Sequence, residues 1–229
     1  MRKNIFVYVF LAVVILISLL ISGAHAASPS LTGATGLIGI PTAECLKFKE
    51  FNISIDSTFK DGRFGRGNKF LYKANLGIFN NLEIGFVGGT VPKEGVFVNL
   101  KYTLWGGSER LPLGVAFGVE NLCSDDMTDI YLVASKEFSF GMNGHFGFKA
   151  DIENKKAKAN IMIGAELFIG KSMSVVADVM GEQSEYLLNL GLRYNPIPKL
   201  QVMASILDAT NSAGKGQQYS FGLAWDGGL

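Results

Sequence analysis

From Phe51 to the C-terminus apolar residues alternate with polar or small ones in short runs, the period of two that marks half-buried β-strands. Phe51, Ile53, Ile55 and Phe59 oppose Asn52, Ser54, Asp56, Thr58 and Lys60. Ile161, Ile163, Ala165 and Leu167 oppose Asn160, Met162, Gly164 and Glu166. The pattern predicts about twelve strands, with ten as the nearest alternative, and no helical segment between them. Along all of these runs the apolar side carries one charge, Lys136, near the end of a less regular sixth strand. The polar side carries Asp56, Lys73, Glu83, Lys101, Glu120, Lys149, Asp151, Glu166, Asp178 and Arg193.

Periodicity alone does not say which side meets water. A secreted β-sandwich turns its apolar side inward, whereas an up-and-down antiparallel transmembrane β-barrel turns it toward lipid. Three features favour the barrel. The strands follow one another at short, regular spacing. Aromatic residues gather near strand ends: Phe51, Tyr102, Trp105, Phe138, Tyr194 and Trp225 toward one rim, Phe59, Tyr72, Tyr186 and Tyr219 toward the other. Amphipathic rings do this at the two membrane interfaces. The connections also alternate, with shorter turns after even strands and longer loops after odd ones, as in outer-membrane barrels. In lipid every backbone N–H and C=O must find a partner within the protein, so strands span only as a closed cylinder.

Composition agrees with an all-β chain. Of 229 residues 28 are Gly and only 6 are Pro, so the glycine is not that of a flexible linker. A formal charge of +1 offers no footprint for nucleic acid. Arg2 and Lys3, the apolar run Ile5–Ile21 and the small residues Ala24 and Ala26 predict a secretory signal peptide over residues 1–26. An uncleaved anchor helix is the alternative. Residues 27–50 then form a periplasmic segment or a plug, and residues 51–229 form the barrel.

Within the first of these, Gly33-Ala34-Thr35-Gly36-Leu37-Ile38-Gly39-Ile40-Pro41-Thr42-Ala43-Glu44 reads as a loop or tight turn rather than a spanning strand. Its Gly36–Ala43 portion resembles the "GLI-x-x-PTA" signature of YjbH-like outer-membrane proteins, and the resemblance extends over residues 33–55. It implies an outer-membrane location in a diderm bacterium and a link to exopolysaccharide production, with polysaccharide export components as partners. The last-strand segment Tyr219–Trp225 looks like the signal read by barrel-assembly machinery, followed here by Asp226-Gly227-Gly228-Leu229. Outer-membrane lipid and that machinery are the expected partners.

Candidate chemistry is sparse. His145, the one His after residue 26, falls on the polar side near the periplasmic start of strand seven, where a hydrogen bond to a neighbour is its ordinary role. Asp125, Asp126 and Asp129 read as a solvated acidic loop tip and lack the glycine and closing Glu of an EF-hand. Lys155, Lys156 and Lys158 read as a basic outer loop able to meet lipopolysaccharide phosphates. Gly62–Gly67 lacks the strand-to-helix setting of a phosphate cradle. Cys45 and Cys123 are assigned to opposite sides of the membrane, too far apart for the ~4.4–6.8 Å between Cα atoms that a disulfide requires. The reading is therefore a non-enzymatic barrel without cofactor or metal, of envelope-structural or passive-transport type. Its alternatives are a narrow pore or secretion partner for polysaccharide and a secreted binding module. The polar side would line the lumen, and its mixture of signs points to no strong ion preference.

Overall fold

The computed structural model describes residues 28–60, 68–90, 95–108, 112–124, 127–153, 156–182, 185–214 and 216–229. Twelve strands run in chain order: β1 Glu50–Lys60, β2 Lys69–Phe79, β3 Leu82–Gly89, β4 Phe97–Gly106, β5 Leu113–Leu122, β6 Met127–Phe138, β7 Met142–Glu153, β8 Lys156–Ile169, β9 Met173–Glu182, β10 Glu185–Ile197, β11 Leu200–Leu207 and β12 Gln218–Gly228. Each is antiparallel to its neighbours, and β12 returns to pair with β1 from Glu50↔Gly228 to Lys60↔Gln218. The sheet is thus a closed barrel without an unpaired edge. Closure decides the strand number at twelve and excludes the sandwich.

Burial is inverted relative to a water-soluble protein. In β1 the polar Asn52, Ser54 and Asp56 are buried, while Ile53 and Ile55 are 50% and 63% exposed. The same inversion places Leu132, Ile163, Leu192 and Leu223 outside. So continuous an apolar exterior is a surface for lipid, not for water. Rings mark its two borders. Trp105, Trp225 and Tyr102 are exposed toward the end bearing the tight turns after β2, β6, β8 and β10. Toward the opposite, loop-bearing end, Phe59 stacks on Tyr219 and Phe221 at centroid distances of 6.0 and 5.9 Å. A register irregularity between Thr103 and Trp105 turns both Leu104 and Trp105 outward, so the aromatic side chain reaches the border despite the alternation. Lys136 stands exposed at a strand end, its ammonium 5.2 Å from the Phe138 ring centroid, so it does not enter the apolar band.

Several sequence expectations are corrected. Asp129 is not in a loop: it lies in β6, fully buried, because β6 begins at Met127 and cross-strand pairing with β5 and β7 continues that far. Lys156 and Lys158 likewise belong to β8, where they pair with Glu153 and Asp151. With these strands extended, the connections after β5, β7 and β9 shrink to 4, 2 and 2 residues, and the alternation of short and long connections fails there. Asp226, Gly227 and Gly228 are not a tail but the end of β12, paired with Asn52, Phe51 and Glu50. Residues 1–26, Gly62–Gly67, Asp125, Asp126 and Lys155 lie outside the described residues.

Candidate functional site: a lumen filled by the N-terminal segment

The inward side chains do not face an open channel. Residues 28–46 run inside the barrel, as their partners show, and exposed Lys47, Phe48 and Lys49 join them to β1. Side chains of β2, β3, β4, β5, β6, β9, β10 and β11 all contact this segment, and only a position on the barrel axis brings one peptide within reach of so many walls. Local structure makes the segment compact. Isolated antiparallel bridges join Pro29 to Thr35 and Gly36 to Pro41, folding it into two tight bends. Gly36 is required at the second: a Cβ there would stand 2.2 Å from the Ile40 carbonyl oxygen.

A segment placed in a lumen must satisfy its own backbone, since it forms no ladder with the wall. The charged wall residues do this. Asp178 Oδ2 accepts the N–H groups of both Ile38 and Gly39 at 2.8 Å, and its Oδ1 accepts Asn189 Nδ2 at 2.7 Å. Arg193 donates to the carbonyls of Gly36 (2.6 Å) and Leu37 (3.1 Å). Glu83 accepts the N–H groups of Thr35 (2.9 Å) and Leu46 (3.1 Å), and Lys101 donates to the Thr35 carbonyl and hydroxyl. Lys73 reaches the Ser30 carbonyl at 2.8 Å, and Glu120 accepts the Thr32 hydroxyl at 2.7 Å. Among uncharged groups, Asn75 and Asn99 donate to the carbonyls of Gly33 and Thr32, and the Ser135 hydroxyl accepts the Ala43 N–H.

Apolar packing fixes the register of the segment. Leu37, Ile38, Ile40 and Ala43 are buried against Ala116, Tyr131, Val133, Met162 and Val176, which form a patch on the otherwise polar inner wall. Fully burying an aliphatic side chain of this size stabilises by about 1.5–3 kcal/mol, so Leu37, Ile38 and Ile40 are the main anchors. The wall leaves room for them. A Cβ on Gly164 would stand 2.4 Å from Leu37 Cδ1 and 2.8 Å from Ile40 Cδ1. Opposite, Gly118 lies under the Tyr131 ring, where a Cβ would come within 2.2 Å of it.

The ten residues expected to line the lumen occupy it together. Asp56 pairs with Lys73 at 2.7 Å, Glu83 with Lys101 at 3.7 Å and Glu166 with Arg193 at 3.2 Å. Lys149 is shared by Glu120 (3.1 Å), Asp129 (2.7 Å) and Asp151 (3.9 Å). Asp178 is held by amides rather than by a cation. Sequence reasoning missed Asp129, by placing it in a loop, and the apolar patch. Tyr131, Val133, Met162 and Val176 are apolar residues on the side that should be polar, and that break in alternation was the available signal. His145 is buried beside Ser135, with Nδ1 2.7 Å from its Oγ.

Below the plug, at the tight-turn end, a cavity of about 670 Å³ opens between Ala43, Glu44 and Cys45 of the plug and Thr103, Ser135 and Glu137 of the wall. Cys45 donates weakly to the Lys101 carbonyl at 3.6 Å, and burial pushes its thiol above the ordinary value. Both cysteines are free, Cys45 partly buried and Cys123 exposed in the connection after β5.

No protein-family model matches the chain. No curated protein matches it in sequence. Solved structures do resemble it. The KdgM porin superposes with a TM-score of 0.57 at 11% identity, covering 76% of this chain and 98% of that one. The NanC porin gives 0.57 at 11%, covering 77% and 99%. KdgM has also been solved in complex with disordered oligogalacturonate. At this identity the likeness is one of fold: a twelve-stranded porin-type barrel.

Proposed function

We propose that this chain is an integral outer-membrane barrel of passive-transport type, without catalytic activity, whose pore is closed at rest by its own residues 28–46. The tight-turn end faces the periplasm and the loop end faces outward. One observation carries the reading: Leu37, Ile38 and Ile40 are seated in an apolar patch of the inner wall that has no use in an open aqueous channel. A barrel meant only as a membrane scaffold could fill its lumen with wall side chains, as smaller barrels do. A separate segment attached at one end, held by hydrogen bonds and a single apolar seat, is an arrangement that can open. The porin-type fold supports a transport role, and the oligogalacturonate found with KdgM supports small hydrophilic solutes, sugars included, as the class an opened lumen admits. The resemblance of residues 33–55 to YjbH-like proteins falls on the segment that fills the lumen. A part in polysaccharide export would therefore also depend on moving it.

The test is conductance in a planar bilayer, with the folded barrel first verified by heat-dependent gel mobility. The native chain is expected to be silent or to open rarely. Ile38→Asn with Ile40→Asn, which puts two amides against the apolar patch, is expected to give steady current steps. A native chain that is already steadily open overturns the proposal. So does a silent double variant whose Cys45 has become freely reactive, and that result favours an envelope-structural barrel.

A further inference from the structure

We infer that the lumen, once the N-terminal segment has left it, selects cations and neutral solutes over anions; this rests on the proposed reading of the barrel as a closed pore. The argument is the charge inventory of the inner wall. Among the described residues, Asp56, Glu83, Glu120, Asp129 and Asp178 are buried carboxylates, and Asp151 and Glu166 are 24% and 12% exposed in their side chains. Four cations face them: Lys73, Lys101, Lys149 and Arg193. Three carboxylates have a cation each, at Asp56–Lys73, Glu83–Lys101 and Glu166–Arg193. Of the remaining four, Glu120, Asp129 and Asp151 share Lys149, and Asp178 is held by amides.

The surplus is concentrated in two places. Glu120, Asp129 and Asp151 are direct cross-strand partners along β5, β6 and β7, so three carboxylates stand in one row. Like charges directly opposite destabilise a sheet, and Lys149, one step inside the row, reaches all three. The row sets three carboxylates against Lys149 and Lys158, the cross-strand partner of Asp151 on β8, an excess of one negative charge. The second place is Asp178. In the closed state its charge is met by the N–H groups of Ile38 and Gly39, which are part of the plug. When the plug leaves, those donors go with it, and Asp178 presents an unneutralised carboxylate to the water that replaces them. Opening therefore exposes a net negative wall and makes it more negative in effect than the closed structure shows.

Exposed cations at the loop end act against this. Lys60, Lys69 and Lys156 lie at strand ends in contact with bulk water. Salt screens such charges over about 8–10 Å, whereas charges lining a narrow pore are screened far less and set its selectivity. The inner wall therefore decides. Acidic oligosaccharides would meet this wall as like charge, while cationic and neutral solutes would pass.

The experiment is the reversal potential of the full-length Ile38→Asn/Ile40→Asn barrel under a potassium chloride gradient. A cation-to-anion permeability ratio clearly above one is expected, as for a pore lined by acidic side chains. Asp129→Asn with Asp151→Asn in that background is expected to bring the ratio down toward one. Should that variant fail to fold, Asp151→Asn alone, at the more exposed position, is expected to lower it by a smaller step. A steady current with a ratio at or below one overturns this inference and leaves the pore reading standing. A barrel with freely labelled Cys45 and no current overturns both.

Discussion

Asp178→Asn isolates one tie between plug and wall without changing side-chain shape. Asp178 uses both oxygens: Oδ2 for the Ile38 and Gly39 amides, Oδ1 for Asn189 Nδ2. An asparagine can keep only one side. If its oxygen faces the plug, its NH2 meets the Asn189 NH2. Rotating Asn189 to relieve this takes its oxygen from the Asp208 N–H, which it accepts at 3.1 Å. If its NH2 faces the plug, two N–H groups lose their acceptor. Hydrogen bonds to a charged group contribute about 1.5–3 kcal/mol, against about 1 for neutral ones. The plug should thus lose roughly 1.5–3 kcal/mol of attachment, and its released population should rise about tenfold to a hundredfold. Cys45 reports that release. The closed state keeps the thiol partly buried and raised by desolvation, so it is poor in thiolate; release restores both access and acidity. In a Cys123→Ser background, maleimide should label Cys45 at least tenfold faster in Asp178→Asn than in the parent. A labelling rate within twofold of the parent, in a barrel that still shows heat-dependent mobility, would refute the claim that Asp178 holds the plug.

Three further outcomes are expected. Gly164→Leu drives carbon into the space occupied by Leu37 and Ile40; overpacking of about 1–3 kcal/mol should raise Cys45 labelling while leaving heat-dependent mobility unchanged. Lys149→Met leaves Glu120, Asp129 and Asp151 without their shared cation. Breaking a buried ion pair from one side costs about 3–5 kcal/mol, so the barrel should unfold at markedly lower temperature, and Asp129→Asn added to it should recover part of the loss. The rate of Cys45 labelling in the closed parent should still be climbing with pH above the ordinary thiol value of 9.0, because burial holds the folded thiol protonated to higher pH; a plateau at or below that value would contradict the closed geometry.

The strands were legible because their two faces differ so strongly, Ile53 and Ile55 against Ser54 and Asp56, and the aromatic rims and the regular strand spacing then told lipid from lumen. What periodicity could not supply was strand length. Asp129 and Lys158 are polar residues in polar surroundings, and only pairing with neighbouring strands shows that the sheet continues through them. The site was half legible. The charged wall residues follow from alternation, and a plug was one of two readings of residues 27–50. The seat was not read, although its parts were visible on both sides. Leu37, Ile38 and Ile40 are apolar residues in a glycine-rich loop with no strand to join, and Met162 and Val176 are apolar residues on a polar face. Each looked like noise alone, because complementarity between segments over 100 residues apart leaves no local trace. A surplus of acids over bases was already visible on the polar face; assigning Asp129 to a loop hid the row that Asp129 completes between Glu120 and Asp151.

The central claim is that residues 28–46 reside in the lumen, and a cross-link between plug and wall tests it most directly. A Cβ on Gly114 would lie 3.3 Å from Ala43 Cβ, close to the ~3.5–4.5 Å that a disulfide spans. In a chain with Cys45→Ser and Cys123→Ser, Ala43→Cys combined with Gly114→Cys should oxidise spontaneously in the membrane, seen as a mobility shift of the denatured protein lost on reduction. Two thiols that remain free and both react rapidly with a membrane-impermeant maleimide, in a folded barrel, would place the segment outside the lumen.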